Sequence, residues 1–124
     1  MTARDKNDVL TLIKNNLLPY FLLAANCMTV GTVAKLNGST ADVQPTPLQS
    51  DGDKRPIIGN CLVTQQAAEY RKDGKDVHLK KGDVVLVGFL DRDMDNFNGS
   101  RPFSLASRRM HSVNDAVVIG VIAE

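Results

Sequence analysis

The run Val84-Val85-Leu86-Val87-Gly88-Phe89-Leu90 carries no polar side chain and lies between Gly82-Asp83 and Asp91-Arg92-Asp93. It is too short for a core helix and its β-branched content marks a strand, while the lack of alternation implies burial on both faces. A strand of this kind needs neighbours, and the chain supplies them as short runs parted by turn residues. "CMTVGTVAKL" sets Met28, Val30, Thr32 and Ala34 on one side and Thr29, Gly31, Val33 and Lys35 on the other. Asn37-Gly38-Ser39 tolerates positive φ, and "TADVQPTPL" returns as the second arm of a hairpin whose pairing must stop near Pro45 and Pro47. "PIIGNCLVTQQ" reads as a third strand with Gly59 as a bulge candidate. The polar "QSDGDKR" is a loop. "AAEYRKDGKD" is either a short helix ending at the Asp73-Gly74 turn or a loop, and the loop is expected. "VHL" forms a short strand before the Gly82-Asp83 turn, and the last strand runs from Ala116 to about Ile122.

Between Asp5 and Leu18, apolar Val9, Leu10, Leu12, Ile13, Leu17 and Leu18 recur at helical spacing. Asp5 or Asn7 can cap the start. Pro19 is expected to end or kink the helix at Leu18, with "YFLLAA" able to restart for a turn or two. The apolar face, Val9, Leu10, Ile13 and Leu17, is expected to pack on the chain's own barrel rather than on a neighbour. One helix followed by five or six short strands is the pattern of a small closed or partly open barrel. Residues 1–26 thus form an N-terminal helical segment and residues 27–124 the barrel domain.

A chain of 124 residues buries one core, and 15 Lys+Arg against 14 Asp+Glu leave a net charge of +1. No global field draws such a chain to nucleic acid or an anionic membrane. Cys27 and Cys61 lack metal-site spacing and read as buried free thiols. The apolar run Leu17 to Ala25 is broken by Pro19 and preceded by acidic Asp5 and Asp8, which disfavours a signal peptide or a membrane span.

Asp91-Arg92-Asp93-Met94-Asp95 begins like a calcium loop. That loop needs Gly at its sixth position and Glu at its twelfth, where this sequence has Asn96 and Pro102. The segment is therefore expected to be a solvated acidic rim with Arg92 as local counter-charge. His111 has Ser112, Asn114 and Asp115 nearby in sequence, but sequence neighbours rarely take triad geometry. Asp115 instead fits a residue that ties a turn through backbone N–H groups, with Arg108 or Arg109 as ion-pair partner. The glycines form no phosphate-binding fingerprint, and aromatics at 5% are too few for a base-stacking platform, with Phe89 expected in the core. No catalytic residue, cofactor or metal is expected.

"LKKGDVVLVGFLDRDMDNF" and "SRRMHSVNDAVVIGV" resemble the N-terminal domain of phage tail baseplate central-spike proteins, the membrane-piercing spikes. The shared elements are the Lys81-Gly82-Asp83 turn before a buried strand, the acidic Asp91-Arg92-Asp93-Met94-Asp95 ending, and Arg109, His111 and Asp115-Ala116 before the last strand. "DVQPTPL" and "PIIGNCLV" match the family's intervening strands, so the resemblance spans roughly residues 27 to 121. It implies a mainly β fold, a small five-stranded OB-type barrel with an N-terminal α-helix. It further implies a non-enzymatic homotrimer in a virion tail or contractile tail-like particle, made in a bacterial host cytoplasm and contacting hub and spike-tip proteins. The family's long needle does not follow the last strand, so a hub, plug or adapter carrying a separate tip is expected, with only indirect membrane contact. The apolar residues Val117, Val118, Ile119, Val121 and Ile122 are the expected subunit interface, because an isolated barrel covers one face of such a strand. Two rivals are an OB-fold module binding single-stranded nucleic acid and a small cell-wall hydrolase using His111.

Overall fold

The structure is a computed structural model that describes residues 3–24 and 27–123. Two helical segments, α1 (Ala3–Leu12) and α2 (Leu18–Ala24), are joined by a π turn over Ile13–Leu17. The strands are β1 (Met28–Asn37), β2 (Thr40–Pro45) and β3 (Ile58–Val63); after the single turn α3 (Gln65–Ala68) come β4 (Glu69–Lys72), β5 (Lys75–His78), β6 (Val84–Phe89) and β7 (Ala116–Val121).

Five of these strands close a barrel in the order β1-β2-β3-β7-β6, and β4 and β5 form a separate two-stranded sheet. Every barrel contact is antiparallel except β3 with β7, which is parallel. That order, with its one parallel pair, is the OB type. The interior is narrow, and compact β-branched side chains fill it: Val33, Val43, Val85, Val87 and Val118 are fully buried, with Cys61 and Ala41 between them. A Cβ at Gly31 would stand 2.8 Å from the carbonyl oxygen of Gln44 and against Val43 Cγ1, so β1 and β2 approach this closely only because residue 31 has no side chain. The bulge anticipated at Gly59 is present. Gly59 and Asn60 together oppose Asp42, Asn60 takes φ 53°, and its N–H donates to Asp42 Oδ1 at 2.9 Å.

Two expectations are corrected and one is met in detail. The helix is interrupted just before Pro19 by the π turn and resumes as α2, the restart over the residues after Pro19 that the sequence allows. Within the π turn the Leu18 N–H donates to Ile13 O, five residues back, and this wider turn makes room ahead of Pro19, whose ring would otherwise strike a carbonyl of the preceding turn. The helix does not pack on its own barrel: every described side chain from Asp5 to Phe21 is exposed. Lastly, residues 67–76 are not a loop but belong to the α3 turn and the β4–β5 hairpin, whose second strand takes in Val77 and His78 of the short strand expected there. Thr64 caps α3 by accepting from the Ala67 N–H, and Asp73 and Gly74, both at positive φ (53° and 77°), make the two-residue turn that matches strand twist.

Candidate functional site

The long connection from β6 to β7 is polar, yet Asp93 and Asp115 within it are almost entirely buried, and Arg109 explains why. Arg109 Nε donates to Asp115 Oδ2 at 3.1 Å and Nη2 to Asp115 Oδ1 at 2.8 Å. The same Nη2 reaches Asp93 Oδ1 at 3.1 Å and Asp95 Oδ1 at 2.9 Å, and Nη1 reaches Asp95 Oδ2 at 3.2 Å. Only the planar, five-donor guanidinium can serve three carboxylates at once.

Backbone groups complete the clasp. Asp93 accepts from the Asp95 N–H at 2.7 Å and from Ser107 Oγ at 2.6 Å, and Asp115 accepts from the Met94 N–H at 3.0 Å. Ser112 starts the 3-10 turn Val113–Asp115 by accepting from the Asn114 N–H, which sets Asp115 just before β7. The hydrogen bond from Ser107 and the Asp95 N–H hold Asp93 below the usual carboxylate range, against the opposing effect of burial. Asp115 is held low chiefly by Arg109, and Arg109 is held protonated chiefly by Asp115.

A second, smaller tie fixes the other end of the barrel. Gly82 turns at φ 96°, its N–H donates to Val33 O, and Val33 N–H donates to Asp83 O, both at 2.9 Å. Asp83 Oδ2 accepts from Tyr70 Oη at 3.1 Å and from the Lys80 N–H at 3.0 Å, with Lys80 Nζ 3.3 Å from Oδ1.

The structure thus brings Asp93, Arg109 and Asp115 together, and Gly82 with Asp83, but not all of the singled-out residues as expected. The acidic segment is a solvated rim at Asp91 and Asp95 but not at Asp93, which is inside. Arg92 is not its counter-charge, for its Nη1 donates to the carbonyl of Asp91 instead. His111 stands apart in the left-handed region at φ 48°, its Nε2 3.5 Å from Asp91 Oδ1. Val118 is core, so it offers no interface; Ile119 and Ile122 are exposed and Val117 and Val121 half-buried. Cys61 is buried as expected, whereas Cys27 is exposed. Sequence reasoning missed Ser107, Tyr70 and Asp95's part in the clasp, for which no spacing gave a signal.

Oxygens of Asp93, Asp95 and Asp115 lie within 4.8 Å of one another, a separation that suits a cation. The Arg109 guanidinium already fills that role, so a metal ion would have to displace it. Asp93 and Asp115 are held ionised, and each of their oxygens accepts from Arg109, Ser107 or a backbone N–H, so their bonds serve to clasp the loop. A cavity of about 440 Å³ lies elsewhere, at the barrel end where β1 begins, lined by Met28, Pro45, Pro47, Pro56, Ile58, Phe89 and Val113 among others. Another of about 700 Å³ has Tyr70 beside the cations Arg71, Lys72, Lys80 and Lys81. No helix among the described residues is long and apolar enough to cross a membrane. Neither a scan against protein-family models nor a search of curated proteins finds a match to this chain.

Proposed function

We propose that this chain is a non-enzymatic structural part of a phage tail or phage-tail-like contractile particle, a homotrimeric hub or adapter of the central spike that bridges the baseplate hub to a separate tip. One observation carries the reading. Several residues of the motifs that resemble the spike family interlock, while Arg92 and His111 stay outside both ties: Gly82 and Asp83 stitch a turn to β1, and Asp93, Arg109 and Asp115 clasp the loop before β7. Their polar groups are consumed in holding shape, as suits a part that transmits position rather than turns over substrate. The basic edge around Tyr70 is a surface that would suit a single-strand nucleic-acid module, yet its lining offers a single aromatic ring for stacking.

Light scattering at micromolar concentration tests the proposal and should return about three times the monomer mass, the signature of a closed cyclic assembly. A parallel titration with labelled oligonucleotides should show no tight binding. Binding that weakens steeply with salt would replace this reading by the nucleic-acid one. A chain that stays monomeric alone and with candidate baseplate partners would refute it.

A further inference from the structure

The folded chain exposes 9111 Å², whereas a compact monomer of its 13.5 kDa exposes roughly 6,500 Å². The excess, about 2,600 Å², is more than the roughly 800 Å² that each partner of a standard stable interface hides. Its source is visible in the helix, where Leu10, Leu18 and Phe21 are 53%, 48% and 60% exposed. The extra residue of the π turn rotates α2 against α1 by about one residue's angle, and so swings Leu18 and Phe21 toward the stripe of Val9, Leu10, Ile13 and Leu17. That stripe is as broad as those that face a globular core.

A matching concave surface stands on the same chain. The cavity at the start of β1 has walls of Pro45, Pro47 and Pro56, which bring no N–H groups that would require a polar partner. Met28, Ile57 and Val113 on its lining are 55%, 55% and 46% exposed. Arg55 is the one charged residue among those lining it, so the groove is otherwise uncharged. Cys27 and Met28, the first described residues after α2, also line this cavity, and no described residue of the helix does.

We infer that the helix of one copy seats its apolar stripe in the barrel-end groove of a second copy, each chain giving an arm and receiving one. This is the helix-in-groove mode of recognition arranged as a segment exchange between identical subunits. It deepens the reading above only in resting on association of identical copies, and it holds whether or not the assembly belongs to a tail.

Two exposed positions test it without touching the core: Leu10→Asp on the helix and Ile57→Asp on the groove. Each should weaken self-association about thirtyfold or more, as loss of an interface anchor does, with an unchanged circular-dichroism spectrum and melting of the barrel. Mixing the two variants should give a one-to-one heterodimer in light scattering but no trimer, because the intact helix of one meets the intact groove of the other while the return joint carries both substitutions. An Ile57→Asp chain that keeps the wild-type mass, or a mixture that stays dissociated, would overturn the exchange while leaving the trimer reading in place. A wild-type chain that is monomeric would overturn both.

Discussion

Arg109 holds Asp115 at two points, Nε on one carboxylate oxygen at 3.1 Å and Nη2 on the other at 2.8 Å, so that the residue six positions before β7's anchor fixes where that strand begins. A lysine has the charge but not the fork. Arg109→Lys should lower the melting midpoint by several degrees and Arg109→Ala by more, since the buried carboxylates then lack their partner. Arg108→Ala, at an exposed neighbour, should change nothing measurable by the same thermal scan.

The clasp also sets an acid limit. Asp93 and Asp115 have folded-state pKa values below their unfolded ones, so the stability they contribute is fully present above the unfolded value, about 3.9, and is lost as pH falls through the depressed folded values. Melting followed from pH 6 downward should therefore be flat to about pH 5 and then fall progressively below about pH 4. In Asp115→Asn that acid-side fall should be shallower, because one of the two linked titrations is gone.

Much of the barrel was legible because its strands are written in valine and its breaks in Gly, Asn, Asp and Pro. Gly59 announced its bulge for the same reason: the strand pattern needed an interruption there. The β4–β5 hairpin was illegible because Glu69, Arg71, Lys72 and Lys75 are exposed and give no apolar alternation, leaving Asp73-Gly74 as the only signal. The helix could be read, but amphipathicity states that a face needs cover and not who supplies it. The clasp was half visible. Asp115 and a neighbouring arginine were legible as a pair, whereas the contacts of Asp93 with Ser107 and of Met94 with Asp115 bridge 14 and 21 positions, a span that no local spacing encodes.

Calcium should find no seat at Asp93, Asp95 and Asp115. A ligand at a hundred times its dissociation constant adds about 2.7 kcal/mol to stability, easily seen as a rise in melting midpoint. Excess calcium compared with EDTA should give no such rise. An upward shift of several degrees would mean that the ion can evict Arg109.

Backbone proximity predicts opposite fates for two glycines. Gly31→Ala forces a methyl against Gln44 O and Val43 and should cost roughly 1–3 kcal/mol in chemical denaturation. Gly120→Ala, where nothing lies within 4 Å of the new atom, should be close to neutral.

The two thiols should differ sharply. Burial raises the Cys61 pKa to about 11, so the thiolate that reacts is scarce as well as shielded. A thiol-specific chromogenic reagent near pH 8 should label Cys27 in the folded chain and reach Cys61 only after denaturant is added. Prompt labelling of both would contradict the barrel core.

The parallel seam between β3 and β7 is held by two register pairs, Leu62 with Val117 and Val63 with Val118, extended by the Thr64 N–H to Val118 O at 3.1 Å. All other joints of the barrel have more register pairs, so this one, which like β1 with β6 joins strands far apart in sequence, is made with the fewest bonds. With the fewest bonds to break, this seam is the line along which the barrel parts first under strain. A barrel built this way opens like a cuff, along one line, with the meander β1–β2–β3 and the pair β6–β7 still hinged together through β1 and β6.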